Sequence, residues 1–233
     1  MPTVLLLEIF MLTFNVYDRV FEVRWNGATG TAFTIDIDGR QYLVSAKHVF
    51  EGVETSDQIE IFLQSQWTKV EVTVIGLSIN DTDVIVLTTD YPIGAHHPLR
   101  LSKGEVFLSQ DVFFVGYPFG MHSKAIAADG ALHLPLVKKA CLSGCYEQPG
   151  GRLWILDGFN NPGFSGGPVI SALKPKQEVV FGIVSGYRFS QELVHINGEP
   201  IEASVRSNTG IIYAYSAAIA MDLIAENPNG VAI

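Results

Sequence analysis

The chain is written almost entirely in short β-rich segments cut by turn signals, and that punctuation limits the folds open to it. Val20 to Trp25 alternates and stops at Asn26-Gly27, a pair that accepts the positive φ angles of a tight hairpin turn. Thr31 to Ile37 is rich in β-branched and aromatic residues and runs into Asp38-Gly39, after which Gln41 to Ser45 reads as the return strand. Ile59–Phe62, Val70–Ile75 and the short buried run Val84–Leu87 follow. From Tyr91 to Lys103 the periodicity is lost, and Pro92, Gly94, Pro98 and Gly104 mark a joint between two halves. A second series runs through Asp111–Gly116, Leu132–Val137, Leu153–Leu156, Pro168–Ile170 and Val179–Ser185. The 22 glycines and 11 prolines are spread along the chain, as many strands joined by tight turns require. No clear repeat relates the halves. Only the last stretch differs: Ser216 to Glu226 is rich in helix formers, with Ile219 and Leu223 on one face, Ser216 as N-cap and Asn227-Pro228-Asn229-Gly230 as the stop.

A chain of 233 residues with 48% hydrophobic and 17% charged residues can build a real core as one domain or two closely packed modules. Its net charge of -9 repels phosphate backbones, so nucleic acid is not an expected partner. The two cysteines, Cys141 and Cys145, lie near a turn expected at Ser143-Gly144. They make no disulfide framework; free thiols are expected ahead of a local disulfide, and no further ligands nearby complete a zinc site. The apolar start, Val4 to Leu12, carries Glu8, has no basic residue in front of it and no small-residue cleavage site after it. It reads as a first strand or packing segment rather than a secretory signal, and is too short to span a bilayer. The cytoplasm is the expected compartment on that ground.

The sharpest chemical signal is Gly163-Phe164-Ser165-Gly166-Gly167-Pro168. A serine hydroxyl becomes a useful nucleophile only when it is exposed, has a base beside it and faces donors placed for the developing oxyanion. Glycines on both sides meet the geometric part: Gly163 lets its N–H and that of Ser165 point at one oxygen, and Gly166 and Gly167 permit close approach of the chain. A plain glycine turn between strands is the competing reading. Of the six histidines, His48 stands apart because a buried strand, Tyr42-Leu43-Val44-Ser45, runs into it through small residues. Asp83 stands at the lip of the apolar run Val84–Leu87, where a carboxylate needs hydrogen bonds to be tolerated. Asp81 competes with it. His96-His97 reads as a solvated loop, and Phe113, Phe114 and Tyr117 as packing.

Taken in order, Ser45-Ala46-Lys47-His48-Val49, Asp83-Val84-Ile85-Val86-Leu87 and Gly163-Phe164-Ser165-Gly166-Gly167-Pro168 resemble the trypsin/chymotrypsin-like serine peptidases. Gly30-Thr31-Ala32-Phe33, Val112 to Gly120 and Phe181-Gly182-Ile183-Val184-Ser185 look like the bacterial branch, including the protease domain of the high-temperature-requirement proteases. The resemblance covers roughly residues 19 to 190. It implies an all-β, chymotrypsin-like double six-stranded β-barrel with a C-terminal α-helix. The expected division is an N-terminal barrel over 1–95 with the apolar segment, a linker over 96–108, and a C-terminal barrel and helix over 109–233. Further implied are a triad of His48, Asp83 and Ser165 in the cleft, an oxyanion hole from the N–H groups of Gly163 and Ser165, and an antiparallel substrate strand added along Ser185, Gly186 and Tyr187.

The departures from the family pattern are informative. Phe164 stands where secreted digestive members carry an aspartate that pairs with a newly cut N-terminus, so activation of that kind is not expected. Ile85 replaces a usual alanine. Phe159 occupies the position that sets the floor of the primary pocket, with Tyr187 expected to narrow it, which points to a small or apolar residue before the scissile bond. A peptide-binding PDZ module does not fit after the second barrel. The resemblance implies no cofactor and no metal, a protein or peptide as substrate, and no membrane span; the oligomeric state is left open. Two alternatives stand beside the active endopeptidase: a non-catalytic peptide-binding pseudoprotease on the same fold, and an esterase using the same machinery.

Overall fold

The computed structural model describes residues 12–94, 99–103, 106–127, 130–172 and 178–233. After a single turn of helix, α1 (Phe14–Tyr17), six strands follow: β1 (Val20–Trp25), β2 (Ala28–Ile37), β3 (Arg40–Ser45), β4 (Gln58–Leu63), β5 (Gln66–Leu77) and β6 (Ile85–Thr89). They pair in the order β3-β2-β1-β4-β5-β6, and β6 returns to β3, closing a barrel. Next come β7 (Arg100–Leu101), β8 (Asp111–Gly116), a small hairpin of β9 (Ser123–Ala127) and β10 (Gly130–Leu134), then β11 (Leu136–Gln148), β12 (Gly151–Asp157), β13 (Pro168–Ser171), β14 (Val179–Ile196) and β15 (Glu199–Ser216). The order β13-β8-β11-β12-β15-β14, with β13 also paired to β14, closes a second ring of six. Helix α2 (Ala217–Glu226) and β16 (Val231–Ala232) return the chain to the first barrel, where β16 pairs with β3.

Successive side chains of a strand point to opposite faces, and here both faces are buried. Ala32, Leu43, Ile85 and Leu87 fill the first barrel. Their neighbours Phe33, Val44, Val84 and Val86 face the other way, into a core shared by both halves. In the second half Val112 and Phe114 fill the barrel, while Phe113 and Val115 join the shared core. Two-sided burial explains why these strands read as continuous apolar runs rather than alternating ones. The shared core also takes Val16 from α1 and Ile219 and Ile224 from α2, so the helix packs across both barrels. Its N-cap is Ser216, whose hydroxyl accepts from Ala218 N at 3.2 Å.

Several boundaries differ from the sequence reading. Leu132–Val137 is not one strand: Pro135, which has no N–H to donate, separates β10 from β11. The turn expected at Ser143-Gly144 is a bulge inside β11, where the register against β12 slips between Leu142 and Gly144. Cys141 and Cys145 lie on that strand as free thiols. The linker expected without structure contains β7, which lies parallel to β14. β14 and β15 extend far beyond Ser185 as a long hairpin. The apolar start lies almost wholly outside the described residues; its last residue, Leu12, is buried in the shared core.

Near the shared core Arg19 is fully buried, and its two guanidinium nitrogens each meet an Asp36 carboxylate oxygen at 2.6 Å. Removing one partner of a buried ion pair strands the other charge. Asp36→Ala is therefore expected to cost roughly 3–5 kcal/mol in denaturant unfolding; a loss under about 1 kcal/mol would show that water reaches the guanidinium.

Candidate active site

Strand β3 ends at Ser45, and the chain turns at once into a 3-10 helical turn, Lys47–Phe50, that carries His48. Val49 and Phe50 are buried beneath it and fix the turn in the first barrel. The side chain of His48 is half exposed. Asp83 sits just before β6, pinned from below by Ser78, whose hydroxyl accepts from Val84 N at 2.9 Å. His48 Nδ1 lies 2.6 Å from Asp83 Oδ2, and His48 N donates to Asp83 Oδ1 at 2.9 Å. The second barrel reaches the same carboxylate: Ser185 Oγ donates to Asp83 Oδ2 at 2.5 Å. Burial alone would raise the Asp83 pKa, and it is the largest single influence; the hydrogen bonds and charge of His48 and the Ser185 hydroxyl together outweigh it, so the carboxyl lies below its ordinary value. Asp81 is exposed, and its carbonyl accepts from the Tyr215 hydroxyl at 2.7 Å.

Ser165 lies on the turn between β12 and β13. Its hydroxyl donates to the carbonyl of Ser185 at 3.1 Å, not to His48. The same Ser185 thus touches Asp83 through its side chain and Ser165 through its backbone. Around Ser165, Phe164 N, Gly166 N and Gly167 N all have backbone acceptors, whereas Gly163 N and Ser165 N have none among the described residues. The direction of the Gly163 N–H follows from its peptide. In a trans peptide C=O and N–H point opposite ways, and Pro162 O is held by Phe119 N at 2.9 Å, so the Gly163 N–H is turned away from that anchor. Gly163 has φ +102°, and a Cβ there would sit 2.4 Å from Tyr117 O. At Gly166, φ +85°, a Cβ would lie 2.1 Å from Ser45 Oγ and Thr31 O. Only glycine fits both positions.

Thr31 stitches this loop to the first barrel. Its N–H donates to Ser165 O at 2.9 Å and its hydroxyl to Gly163 O at 2.7 Å, while Tyr117 N donates back to that hydroxyl at 3.0 Å. The residues before the loop are held by Lys138, which sequence reasoning did not single out. Its ammonium donates to Phe159 O and to Asn161 Oδ1, both at 2.6 Å, and lies 5.4 Å from the Phe159 ring centroid. Partial desolvation lowers its pKa. Nothing in the alternation of β11 distinguishes this lysine from Lys139, which instead pairs with Asp111.

Of the other expected site residues, Ser185, Gly186 and Tyr187 form a half-buried strand segment beside Ser165. Phe159 is 56% exposed. His122 and His133 lie against each other with ring centroids 3.8 Å apart and planes tilted by 34°, and His96 and His97 lie outside the described residues. Among the described residues no group of three or more His, Cys, Asp or Glu is placed to hold a metal ion, and no helix is long and apolar enough to cross a membrane.

A family profile for the trypsin-like peptidase domain matches residues 30–183. The chain belongs to the trypsin-like peptidase family. It is thereby a serine peptidase, of the hydrolase class. No curated protein matches it in sequence. Its fold is similar to that of the active form of the Rv3671c protease from M. tuberculosis, at TM-score 0.63 and 17% identity over 94% of this chain and 84% of that one. It is also similar to the HtrA-type protease AlgW with tripeptide, at TM-score 0.59 and 22% identity over 91% of this chain and 60% of that one. A serine endoprotease from Yersinia pestis gives TM-score 0.57 and 20% identity over 91% and 63% of the two chains.

Lys138 fixes the residues that lead into Gly163, so its loss should loosen the Gly163 amide. In this trypsin-like chain Lys138→Met is expected to slow both kcat and fluorophosphonate labelling on the order of tenfold with KM little changed, and Lys138→Arg to recover part of the loss. Unaltered labelling rates in the methionine variant would remove the role.

Proposed function

We propose that the chain is an active endopeptidase in which His48, Asp83 and Ser165 act as a triad through an acyl-enzyme. The observation that carries this reading is the pair of N–H groups, Gly163 and Ser165, that have no backbone acceptor among the described residues, beside a serine hydroxyl, with His48 hydrogen-bonded to Asp83 across the cleft. Ser165 Oγ attacks the substrate carbonyl after a rotation of its side chain that exchanges the Ser185 carbonyl for His48 Nε2. Such contacts are often loose until substrate binds. His48 takes the hydroxyl proton and later gives it to the leaving amine. Asp83, ionised at neutral pH, holds the proton of His48 on Nδ1, leaving Nε2 as the base, and stabilises the imidazolium. The oxyanion that forms on the substrate is received by Gly163 N–H and Ser165 N–H. Water then releases the acyl group by the same route in reverse.

Two further features belong to this reading. Phe164 is fully buried with its ring 4.8 Å from that of Phe114, in an edge-on arrangement. An apolar side chain filling that space supports a site that needs no new N-terminal ammonium. Phe159 stands at the position expected to set the primary pocket, with the Lys138 ammonium 5.4 Å from its ring centroid; the lack of a carboxylate at that position supports a small or apolar residue before the scissile bond and disfavours a cationic one. The substrate class is protein or peptide.

A fluorophosphonate probe at neutral pH is expected to label the full chain without prior trimming, and Ser165→Ala to abolish the labelling. A labelled chain that hydrolyses simple esters but not casein would be an esterase; absence of labelling would leave a peptide-binding module. In a peptide-library profile, cleavage is expected after small or apolar residues, and a strong preference for Arg or Lys would reject the pocket assignment.

A further inference from the structure

Ser185, Gly186 and Tyr187 are only the root of a much longer strand. β14 continues to Ile196, turns at Asn197 and Gly198, both with positive φ, and returns as β15. As far as Ile183 the strand is paired on both sides, by β13 along one edge and by β7 and then β15 along the other. From Ser185 onward its one partner among the described residues is β15. Its other edge therefore carries a row of N–H and C=O groups directed outward, a template for another strand. Proteins normally shorten, charge or cover such an edge. This one is long, and its apolar residues are open, with Phe189 47%, Leu193 61% and Ile196 56% exposed.

The arm is braced internally. On one face the Arg206 guanidinium covers the Phe189 ring at 3.5 Å, and Gln191 donates to Ser204 at 2.8 Å. On the other, Ser207 and Ser190 donate to one Glu192 oxygen at 2.7 and 2.9 Å. Phe189 and Leu193 share the first face, since β14 and β15 stay in register between them. A bare two-stranded ribbon is marginal in water, and the bracing keeps this edge extended without a neighbour.

We propose that the open edge of β14 from Arg188 to Ile196 binds the part of the substrate N-terminal to the scissile bond, continuing the strand begun along Ser185–Tyr187 past the register shift between Tyr187 and Phe189. The preferred substrate is then a long, locally unfolded polypeptide with apolar residues at alternate positions, not a short peptide or a compact loop. The polarity follows from the geometry. The residue to be cut lies at Ser165, beside Ser185, and a chain antiparallel to β14 must run toward its own N-terminus as β14 runs from 185 to 196. At roughly 3.3 Å per residue the arm adds on the order of 25 Å of pairing edge. Main-chain hydrogen bonds supply affinity regardless of sequence, and Phe189 and Leu193 favour apolar side chains on their face. This rests on the substrate-strand assignment made above.

The test uses the full chain with Ser165→Ala, so that peptide is bound and not cut, read by fluorescence anisotropy. The probes are an apolar tetrapeptide, the same peptide with an octapeptide N-terminal extension, and two forms of the long peptide N-methylated at alternate extension residues in opposite registers. The extension is expected to tighten Kd by about tenfold or more, and one methylation register to abolish the gain while the other keeps it. Replacing residues 190–207 by Asn-Gly is expected to make long and short peptides bind alike. Should that variant fail to fold, the pair of methylated peptides still decides. Equal affinity of long and short peptides, or equal effects of the two registers, overturns the proposal. Register-dependent binding in a chain whose Ser165 does not react with fluorophosphonate would keep the edge and remove the active-enzyme reading.

Discussion

A carboxylate in the seam between two barrels needs donors to stay charged, and Asp83 has them from both. His48 approaches from the first barrel with its ring and its backbone N–H, and Ser185 from the second with its hydroxyl. Each donor offsets part of the desolvation that would otherwise favour the neutral acid. Because Ser185 also receives the Ser165 hydroxyl on its carbonyl, the position of that hydroxyl is tied to the same carboxylate. Any shift of one barrel against the other would break several hydrogen bonds at once.

The strands make that arrangement rigid. Their two faces feed different cores, one inside each barrel and one between them, so the seam is packed by the same residues that build the sheets. Thr31 adds a polar stitch where the seam meets the Ser165 loop. By accepting its N–H on Ser165 O and its hydroxyl on Gly163 O, the loop turns two carbonyls away from the cleft. The N–H groups of Gly163 and Ser165 have no backbone acceptor among the described residues, and the close contacts at Gly163 and Gly166 leave no room for a side chain at either glycine.

Much of this was legible in the residues. The Asn26-Gly27 and Asp38-Gly39 turns, the buried runs Val84–Leu87 and Val112–Val115, and the capped helix beginning after Ser216 each carry a local signal that agrees with the tertiary result. The spacing of the motifs around His48, Asp83 and Ser165 gave the family. What escaped has a physical reason. Lys138 acts through a carbonyl and an amide more than twenty residues away, and no local pattern encodes such a contact. The arm escaped because its strands mix Glu192, His195, Glu202 and Arg206 with scattered apolar residues, so no alternation betrays them; it has no core of its own to face. The bulge between Leu142 and Gly144 reads as a turn in the residues because serine and glycine serve both purposes.

The measurement closest to the central claim is the proton on His48, followed by NMR of the full chain with nitrogen-labelled histidine. The account requires that proton to sit on Nδ1, resonating far downfield in a strong hydrogen bond, and to lose that signature in Asp83→Asn while the other histidines are unaffected. A neutral His48 protonated on Nε2, or an Nδ1 proton indifferent to the Asp83 substitution, would contradict it.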